Sequence, residues 1–102
     1  MDDKEVVYWG DLDTHGFDIL DRLRTRFPTV RSILMDEATL LGHRGQWVEE
    51  PSPTNRALAH LTGPEKALYG DLVEDRFGTR IRLEQERVRF SLVERALAPW
   101  TG

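Results

Sequence analysis

Residues 6–17 read VVYWGDLDTHGF and decide the fold. The β-branched and aromatic run Val6–Trp9 is typical of a buried strand. Over His15–Phe27 apolar residues recur every three to four positions, which predicts an amphipathic helix. Strand character returns at Val30–Met35. A strand, a helix and a strand over residues 6–35 predict two parallel strands joined by a right-handed crossover, the basic unit of an α/β fold.

The rest of the chain predicts further short elements around the same core. A second helix starts at Asp36, and Gly45–Pro53 is typical of a loop because it is rich in Gly, Pro and Ser. Residues 62–65, Thr-Gly-Pro-Glu, have the form of a capping box, and the apolar spacing extends that helix to Gly78. A strand and a last short helix are predicted at Arg80–Val88 and Phe90–Leu97. The predicted order of strands and helices indicates a small α/β domain with a mostly parallel sheet flanked by helices.

The composition is that of one globular domain. The chain has 102 residues, of which 39% are hydrophobic and 31% charged, enough for one core but hardly for two. No stretch approaches the roughly 18 apolar residues of a membrane helix, and the acidic start Met1–Glu5 does not resemble a signal peptide. We therefore expect a cytoplasmic protein without membrane contact. The absence of cysteine excludes disulfides, thiol catalysis and thiolate metal sites, which leaves carboxylates and three histidines as metal ligands.

The net charge of −4 is unevenly distributed along the chain. Residues 1–21 contain seven acidic side chains and one lysine. Twelve of the fourteen basic residues are arginine, whose planar guanidinium suits phosphate oxygens. The helical spacing predicts five charged residues on the outward face of the first helix: Asp18, Asp21, Arg22, Arg24 and Arg26. The arginines are candidate phosphate contacts, although such a mixed face is also typical of a merely solvated surface.

The turn Gly10–Gly16 lies where the first strand passes into the first helix. Ligands of open α/β sheets bind at the carboxyl ends of strands, so this turn is the default position for a site. Asp11 and Asp13 can point into one pocket, and Mg²⁺ would offset their repulsion because it prefers oxygen ligands. The alternative is structural: Asp13 or Thr14 caps the helix, and Asp11 is a turn residue. His15 is by itself typical of a surface residue at a helix start.

A second acidic pair, Glu84 and Glu86, lies in the strand predicted near the end of the chain. Side chains two residues apart share one face of a strand, so these two are further candidates. The alternative is a solvated edge strand whose charges discourage aggregation. His43 and His60 show no ligand-like spacing, and we interpret both as structural.

Two known families begin a domain with Asp-x-Asp after an apolar strand. In haloacid-dehalogenase-type phosphatases the first Asp is the nucleophile and the second is the acid. Those enzymes have Thr or Val two places after the second Asp, where this chain has His15. They also use a downstream lysine, for which only Lys66 is present. A phosphatase fragment of this type is therefore our second interpretation.

The other family is more similar to this chain. Residues 8–17 (YWGDLDTHGF), 34–41 (LMDEATLL), 61–65 (LTGPE) and 82–87 (RLEQER) resemble, in order and spacing, the DUF2220 family, the C-terminal toprim domain of JetD-like Wadjet defence proteins. The resemblance extends over nearly the whole chain. The topoisomerase VI A subunit, with its Asp-x-Asp-Pro-Tyr/His-Gly segment, is more distantly similar.

The resemblance implies a partial toprim fold and a DNA endonuclease that depends on Mg²⁺ or Mn²⁺. It implies that Asp11 and Asp13 are catalytic and hold the metal, and that Glu84 is an accessory catalytic acid. The candidate DNA contacts are His15, Arg22, Arg24 and Arg26. The implied parent protein is the nuclease subunit of an SMC-type anti-plasmid defence system, with plasmid DNA and the other subunits as partners. A homodimer would supply the two centres that double-strand cleavage needs.

One toprim residue is missing from the sequence. Toprim domains carry a glutamate on a strand well upstream of Asp-x-Asp, whereas this sequence begins only ten residues before Asp11. Glu5 starts the same strand, roughly 20 Å from Asp11 at about 3.3 Å per residue, and cannot replace it. We therefore expect residues 1–102 to be the C-terminal part of a toprim domain cut from a larger protein, and inactive alone. Neither Tyr8 nor Tyr69 has a nucleophilic context, which favours attack by water. A non-catalytic interaction domain is the remaining alternative.

Overall fold

The computed structural model describes residues 6–88 and 92–93. The first strand β1 (Val7–Tyr8), the helix α1 (Thr14–Arg26) and the strand β2 (Arg31–Ser32) form the expected β-α-β unit. The strands are parallel, with Val7 opposite Arg31. The predicted crossover unit and the α/β class are therefore confirmed, although both strands are shorter than the apolar runs suggested.

The second half adds two helices and two more strands: α2 (Glu37–Leu41), β3 (Val48–Glu49), α3 (Gly63–Val73) and β4 (Ile81–Arg82). Short 3₁₀ turns lie at Arg44–Gln46 and Gln85–Arg87. Strands β3 and β4 pair antiparallel. The interpretation of Gly45–Pro53 as a loop was therefore wrong in part. Both β3 residues are exposed, so their pairing leaves no alternation of buried and exposed side chains that a sequence pattern would reveal.

An isolated antiparallel bridge connects the two halves of the fold. Leu12, just after β1, exchanges both backbone hydrogen bonds with Leu83, just after β4, at 2.9 and 3.1 Å. Both leucines are fully buried. The bridge brings the acidic turn and the end of β4 side by side, which positions the candidate site.

The core lies between α1 and α3. Phe17, Leu20 and Leu40 are fully buried, and the ring of Phe17 meets Tyr69 edge-on at a centroid distance of 6.2 Å. Within the described residues no helix is both long and apolar enough to cross a membrane. The predicted last helix, Phe90–Leu97, lies almost wholly outside the described residues.

The outward face predicted for α1 was wrong for three of its five residues. Asp18, Asp21 and Arg24 are buried, whereas the apolar Ile19 and Phe27 are exposed. The segment that precedes α3 covers this side of the helix and supplies partners for the charges. Arg56 donates to Asp18 at 2.7 Å, and the backbone N–H of His60 donates to Asp21 at 2.7 Å. Charged side chains can lie inside when each finds such a partner.

The capping box of α3 is confirmed, but the helix is shorter than predicted. The Thr62 hydroxyl accepts from the backbone N–H of Glu65, and the Glu65 carboxylate accepts from that of Thr62. The helix ends at Val73 rather than Gly78. Asp75 has a φ of +55°, a left-handed conformation that no helix continues.

Candidate metal centre

Asp13 is a buried carboxylate with partners on both oxygens. Oδ1 accepts the backbone N–H of Gly16 at 2.6 Å, which makes Asp13 the N-cap of α1. Oδ2 accepts from Nε of Arg82 at 2.7 Å, and only 2% of the Asp13 side chain is exposed. The capping role expected for an aspartate at this position is confirmed. Each oxygen retains a second lone pair, so the cap does not prevent metal ligation.

Asp11 is more accessible than Asp13 and has one backbone partner. Its Oδ1 accepts the N–H of Gln85 at 2.8 Å, and within the described residues Oδ2 makes no hydrogen bond. The Leu12–Leu83 bridge continues as an antiparallel register that places Asp11 beside Glu84 and Asp13 beside Arg82. The Asp13–Arg82 ion pair agrees with this register. Asp11 therefore offers a free carboxylate oxygen at the rim of the turn.

Glu84 and Glu86 do not share a strand face, contrary to the prediction. Strand β4 ends at Arg82, and Gln85–Arg87 turns as a 3₁₀ helix, so the two-residue period of a strand does not apply. Glu84 lies beside Asp11, 37% exposed, with its Oε1 3.9 Å from Arg87 Nε. Glu86 is exposed. Of the two glutamates, only Glu84 is brought next to the acidic turn by the bridge.

Glu50, which no sequence pattern indicated, is a second buried carboxylate at the start of α1. It accepts the backbone N–H groups of Thr14 at 3.3 Å and His15 at 3.0 Å, and the Thr14 hydroxyl at 2.9 Å. It comes from a stretch predicted to be a loop, 36 residues from Thr14, so no local pattern indicated it. A negative charge at a helix N-terminus is favourable because it meets the unpaired N–H groups and the positive end of the helix dipole.

Together the two capping carboxylates use the N–H groups of the first turn of α1. Thr14 and His15 donate to Glu50, and Gly16 donates to Asp13. Free N–H groups at a helix start are the usual way to bind a phosphate. This helix start therefore does not suit the phosphatase interpretation, whereas the strand-end carboxylates remain compatible with a cation.

Arg82 is a positively charged side chain beside the carboxylates of Asp11, Asp13 and Glu50, which together with Arg82 are called the cluster below. Its hydrogen bond to Asp13 raises its pKa, burial acts in the opposite direction, and the charges of Asp13, Asp11 and Glu50 raise it further. Within the described residues, Arg82 thus contacts the carboxylate of Asp13 and lies within the electrostatic reach of Asp11 and Glu50. The cluster carries a formal excess of negative charge, although Arg82 already offsets part of the repulsion that we expected a metal to relieve.

Tyr8 lies across the turn and reaches the same cluster. Its hydroxyl donates to the carbonyl oxygen of Gly16 at 3.3 Å. Burial, and then the negative charges of Asp13 and Asp11, raise the pKa of Tyr8 to about 12. The phenol therefore loses its proton less readily than that of an ordinary tyrosine. A Cβ at Gly10 would collide with the Tyr8 ring, which explains the glycine after the strand.

One comparison with known proteins decides the family. The family model for the C-terminal region of the Wadjet protein JetD matches residues 1–97. This chain belongs to that family. The resemblance stated from the sequence is thereby confirmed. No curated protein matches the chain.

The candidate DNA contacts of this JetD-family chain include both exposed and buried residues. Arg22 is 64% exposed and lies 3.4 Å from Asp18, and His15 and Arg26 are also at the surface. Arg24 is buried and pairs with Glu65. Its guanidinium points into the protein, so the hypothesis of phosphate contacts on this helix rests on the exposed residues. His43 is buried, with Nδ1 2.7 Å from the carbonyl oxygen of Thr39, as befits a structural residue.

A well-formed cleft in the described part of the JetD-family chain lies elsewhere. It has a volume of about 750 Å³ and runs along β2 between α2 and the start of α3, over the Arg24–Glu65 pair. The acidic turn does not line it. This cleft therefore does not contain Asp11 and Asp13, the carboxylates that the family resemblance and their position after β1 indicate.

The residues at the turn fit a hard divalent cation in type and number. Within residues 6–88 no three His, Asp or Glu side chains form a ligand set. Mg²⁺ needs no such set, because it keeps several waters and binds through one or two carboxylates together with substrate phosphates. Asp11 Oδ2 and the remaining lone pairs of Asp13 meet that requirement. The donor chemistry therefore suits Mg²⁺ or Mn²⁺, with Arg82 as a neighbour that any such ion must accommodate.

Proposed function

We propose that this JetD-family chain carries the metal-binding half of a DNA endonuclease centre, in which Asp11 and Asp13 hold Mg²⁺ or Mn²⁺. The observation that carries the proposal is that Asp11 and Asp13 follow β1 and both lie close enough to Arg82 to act on its charge, while the Leu12–Leu83 bridge brings Glu84 beside Asp11. A bound divalent ion would orient a DNA phosphate, activate water and stabilise the leaving oxygen.

The protein residues position this chemistry. The Gly16 N–H fixes Oδ1 of Asp13 and the Gln85 N–H fixes Oδ1 of Asp11, so both carboxylates are held in place by backbone groups. Preorganised charge of this kind is what an active site needs at the moment of reaction. Glu84, at the rim, is the accessory acid. Glu50 holds the start of α1 and with it the Asp13 backbone.

We further propose that residues 1–102 form the C-terminal part of a toprim domain in a larger JetD-like protein. The glutamate that toprim catalysis requires would then come from outside this sequence, and the isolated chain would not cleave DNA. Its partners would be plasmid DNA and the other subunits of the SMC-type complex, in line with the Wadjet family match. The candidate DNA contacts that remain at the surface are His15, Arg22 and Arg26.

The test is cleavage of supercoiled plasmid by the intact JetD-like protein that contains this domain. Asp11→Asn and Asp13→Asn should each lower the cleavage rate at least about 100-fold, because each removes a charged metal ligand. Asn is as good an N-cap as Asp, so Asp13→Asn keeps the helix start. Circular dichroism should be unchanged.

Asp71→Asn is the matched control. Asp71 also pairs with an arginine, Arg76, at 3.1 Å, but lies on α3 away from the turn. Cleavage by this variant should equal that of the wild type. If Asp11→Asn and Asp13→Asn retain wild-type cleavage, the metal site is assigned to the wrong residues.

A further inference from the structure

We propose that Arg82 is a built-in counter-ion that competes with the divalent cation for Asp13. Arg82 holds Oδ2 of Asp13 until a divalent ion takes that oxygen, and its guanidinium then turns towards solvent. This inference rests on the proposed function, because it assumes that Asp11 and Asp13 share a cation. It assigns to Arg82 a positioning role that the sequence did not indicate.

The first argument is the single-point attachment of Arg82. Its side chain holds Asp13 through Nε alone, at 2.7 Å, and makes no other hydrogen bond within the described residues. Arg24 is attached quite differently. Nε of Arg24 donates to the Val30 carbonyl, Nη1 to the His60 carbonyl, and both Nη groups donate to Glu65. A guanidinium held at one atom can leave without breaking a network.

The second argument is access to solvent. The Arg82 side chain is 23% exposed, whereas that of Asp13 is 2% exposed and that of Arg24 is 8% exposed. The guanidinium can therefore move outward while the carboxylate stays in place as the N-cap of α1. The immobile partner is the candidate metal ligand, and the mobile partner is the competing cation.

The third argument is charge. Arg82 brings one positive charge to a cluster that contains Asp11, Asp13 and Glu50, so it cannot neutralise them all. A divalent ion shared by Asp11 and Asp13 brings two positive charges to the same oxygens and is repelled by a guanidinium a few ångströms away. The two cations therefore exclude each other at Asp13.

The experiment is an Mn²⁺ titration of the full 102-residue chain, followed by water-proton relaxation and by amide line broadening at residues 10–16. Arg82→Gln should bind Mn²⁺ at least about tenfold more tightly than the wild type, since the competing charge is removed. Arg82→Lys keeps that charge and should stay within about threefold of the wild type. Arg76→Gln removes the same charge from an exposed arginine just after α3, paired with Asp71 and Glu74, and should not change the affinity.

A measurement on the unmutated chain covers the case in which Arg82→Gln does not fold. The Arg82 Nε–H resonance, identified by its loss in Arg82→Lys, should shift and exchange faster with water when Mg²⁺ saturates the site. An unchanged resonance at saturation would overturn the counter-ion role.

The two proposals fail in different ways. If the wild type and Arg82→Gln bind Mn²⁺ at residues 10–16 with equal affinity, the role of Arg82 is wrong while the metal site stands. If Arg82→Gln binds as proposed but the intact Asp11→Asn protein still cleaves plasmid, the metal is not catalytic and the proposed function fails. If folded wild type and folded Arg82→Gln both leave these amides unbroadened, both proposals fall.

Discussion

The two ends of α1 each contain a buried carboxylate paired with an arginine, and they differ in how completely the pair is satisfied. At the C-terminal end, Arg24 and Glu65 form two parallel hydrogen bonds. The Ser32 hydroxyl and the Thr62 N–H donate one further hydrogen bond to each oxygen of the Glu65 carboxylate. At the N-terminal end, Arg82 holds Asp13 by one bond, and Asp11 and Glu50 add negative charge without an ion-pair partner of their own in the described part of the chain.

This difference in hydrogen bonding distinguishes a pair that stabilises the fold from a pair that can bind a ligand. A closed network of opposite charges, with every donor and acceptor used, stabilises one arrangement and offers nothing to a ligand. An excess of carboxylate charge with a free oxygen at the rim attracts a cation instead. The first pair lies under the cleft along β2, whose lining does not include the second pair. The two pairs therefore differ in charge balance as well as in their position relative to this cleft.

The largest effect is expected from breaking the closed pair. Arg24→Met leaves Glu65 buried without its guanidinium and should lower the free energy of unfolding by about 3–5 kcal/mol. Urea denaturation of the 102-residue chain measures this. Arg22→Met, two residues earlier and exposed, should change it by less than about 0.5 kcal/mol. Equal destabilisation by the two variants would show that the buried network is not what stabilises this end of the helix.

The second prediction concerns pH at the same pair. Burial alone would raise the pKa of Glu65, but hydrogen bonds from Arg24, Ser32 and the Thr62 N–H outweigh it and lower the pKa to about 2. Because the folded pKa lies below the unfolded one, this carboxylate stabilises the fold above about pH 4.5. That contribution is lost as the pH falls towards 2.

Urea unfolding between pH 5 and pH 2 measures this loss, which should be of the order of 2 kcal/mol. Glu65→Gln cannot titrate, so its stability should fall less steeply over that range. A pH dependence identical to that of the wild type would mean that other carboxylates account for the acid sensitivity.

The smallest effect is expected at the open end. Glu50→Gln keeps one acceptor oxygen but places an amide N–H₂ group opposite the N–H of either Thr14 or His15, which donate to different oxygens, and should cost about 1–2 kcal/mol. Hydrogen exchange at those two amides should become faster. Glu49→Gln, its exposed neighbour, is the control and should leave exchange unchanged. If Glu50→Gln has no effect either, the carboxylate does not hold the start of α1.

Much of the local structure was predictable because short-range rules govern it. Apolar spacing placed α1 within one residue of its observed start and end, and the capping box placed the start of α3. Asp13 was a foreseeable N-cap because few residue types suit that position. The end of α3 was not foreseeable from spacing, because Phe77 continues the apolar period beyond the left-handed turn at Asp75.

The site itself was only half predictable. Asp11 and Asp13 stand out because they end an apolar strand, and the turn that contains them is continuous in sequence. Glu50 has no such signal, since it follows an exposed two-residue strand inside an apparent loop. The outward face of α1 was predicted wrongly for a related reason. Periodicity assigns charged residues to solvent, and it contains no information on the distant partners of Asp18 and Asp21, which are Arg56 and the backbone of His60.

The sequence by itself determined the β-α-β unit, the position of the acidic turn and the family, because each depends on residues that are neighbours along the chain. Only the tertiary structure decided the partners of the buried charges. Glu50 reaches Thr14 across 36 residues, Glu65 reaches Arg24 across 41, and Arg82 reaches Asp13 across 69. A buried charge must find an opposite charge or a donor wherever packing brings one. Packing depends on the whole fold, so the local spacing of residues along the sequence does not predict these partners.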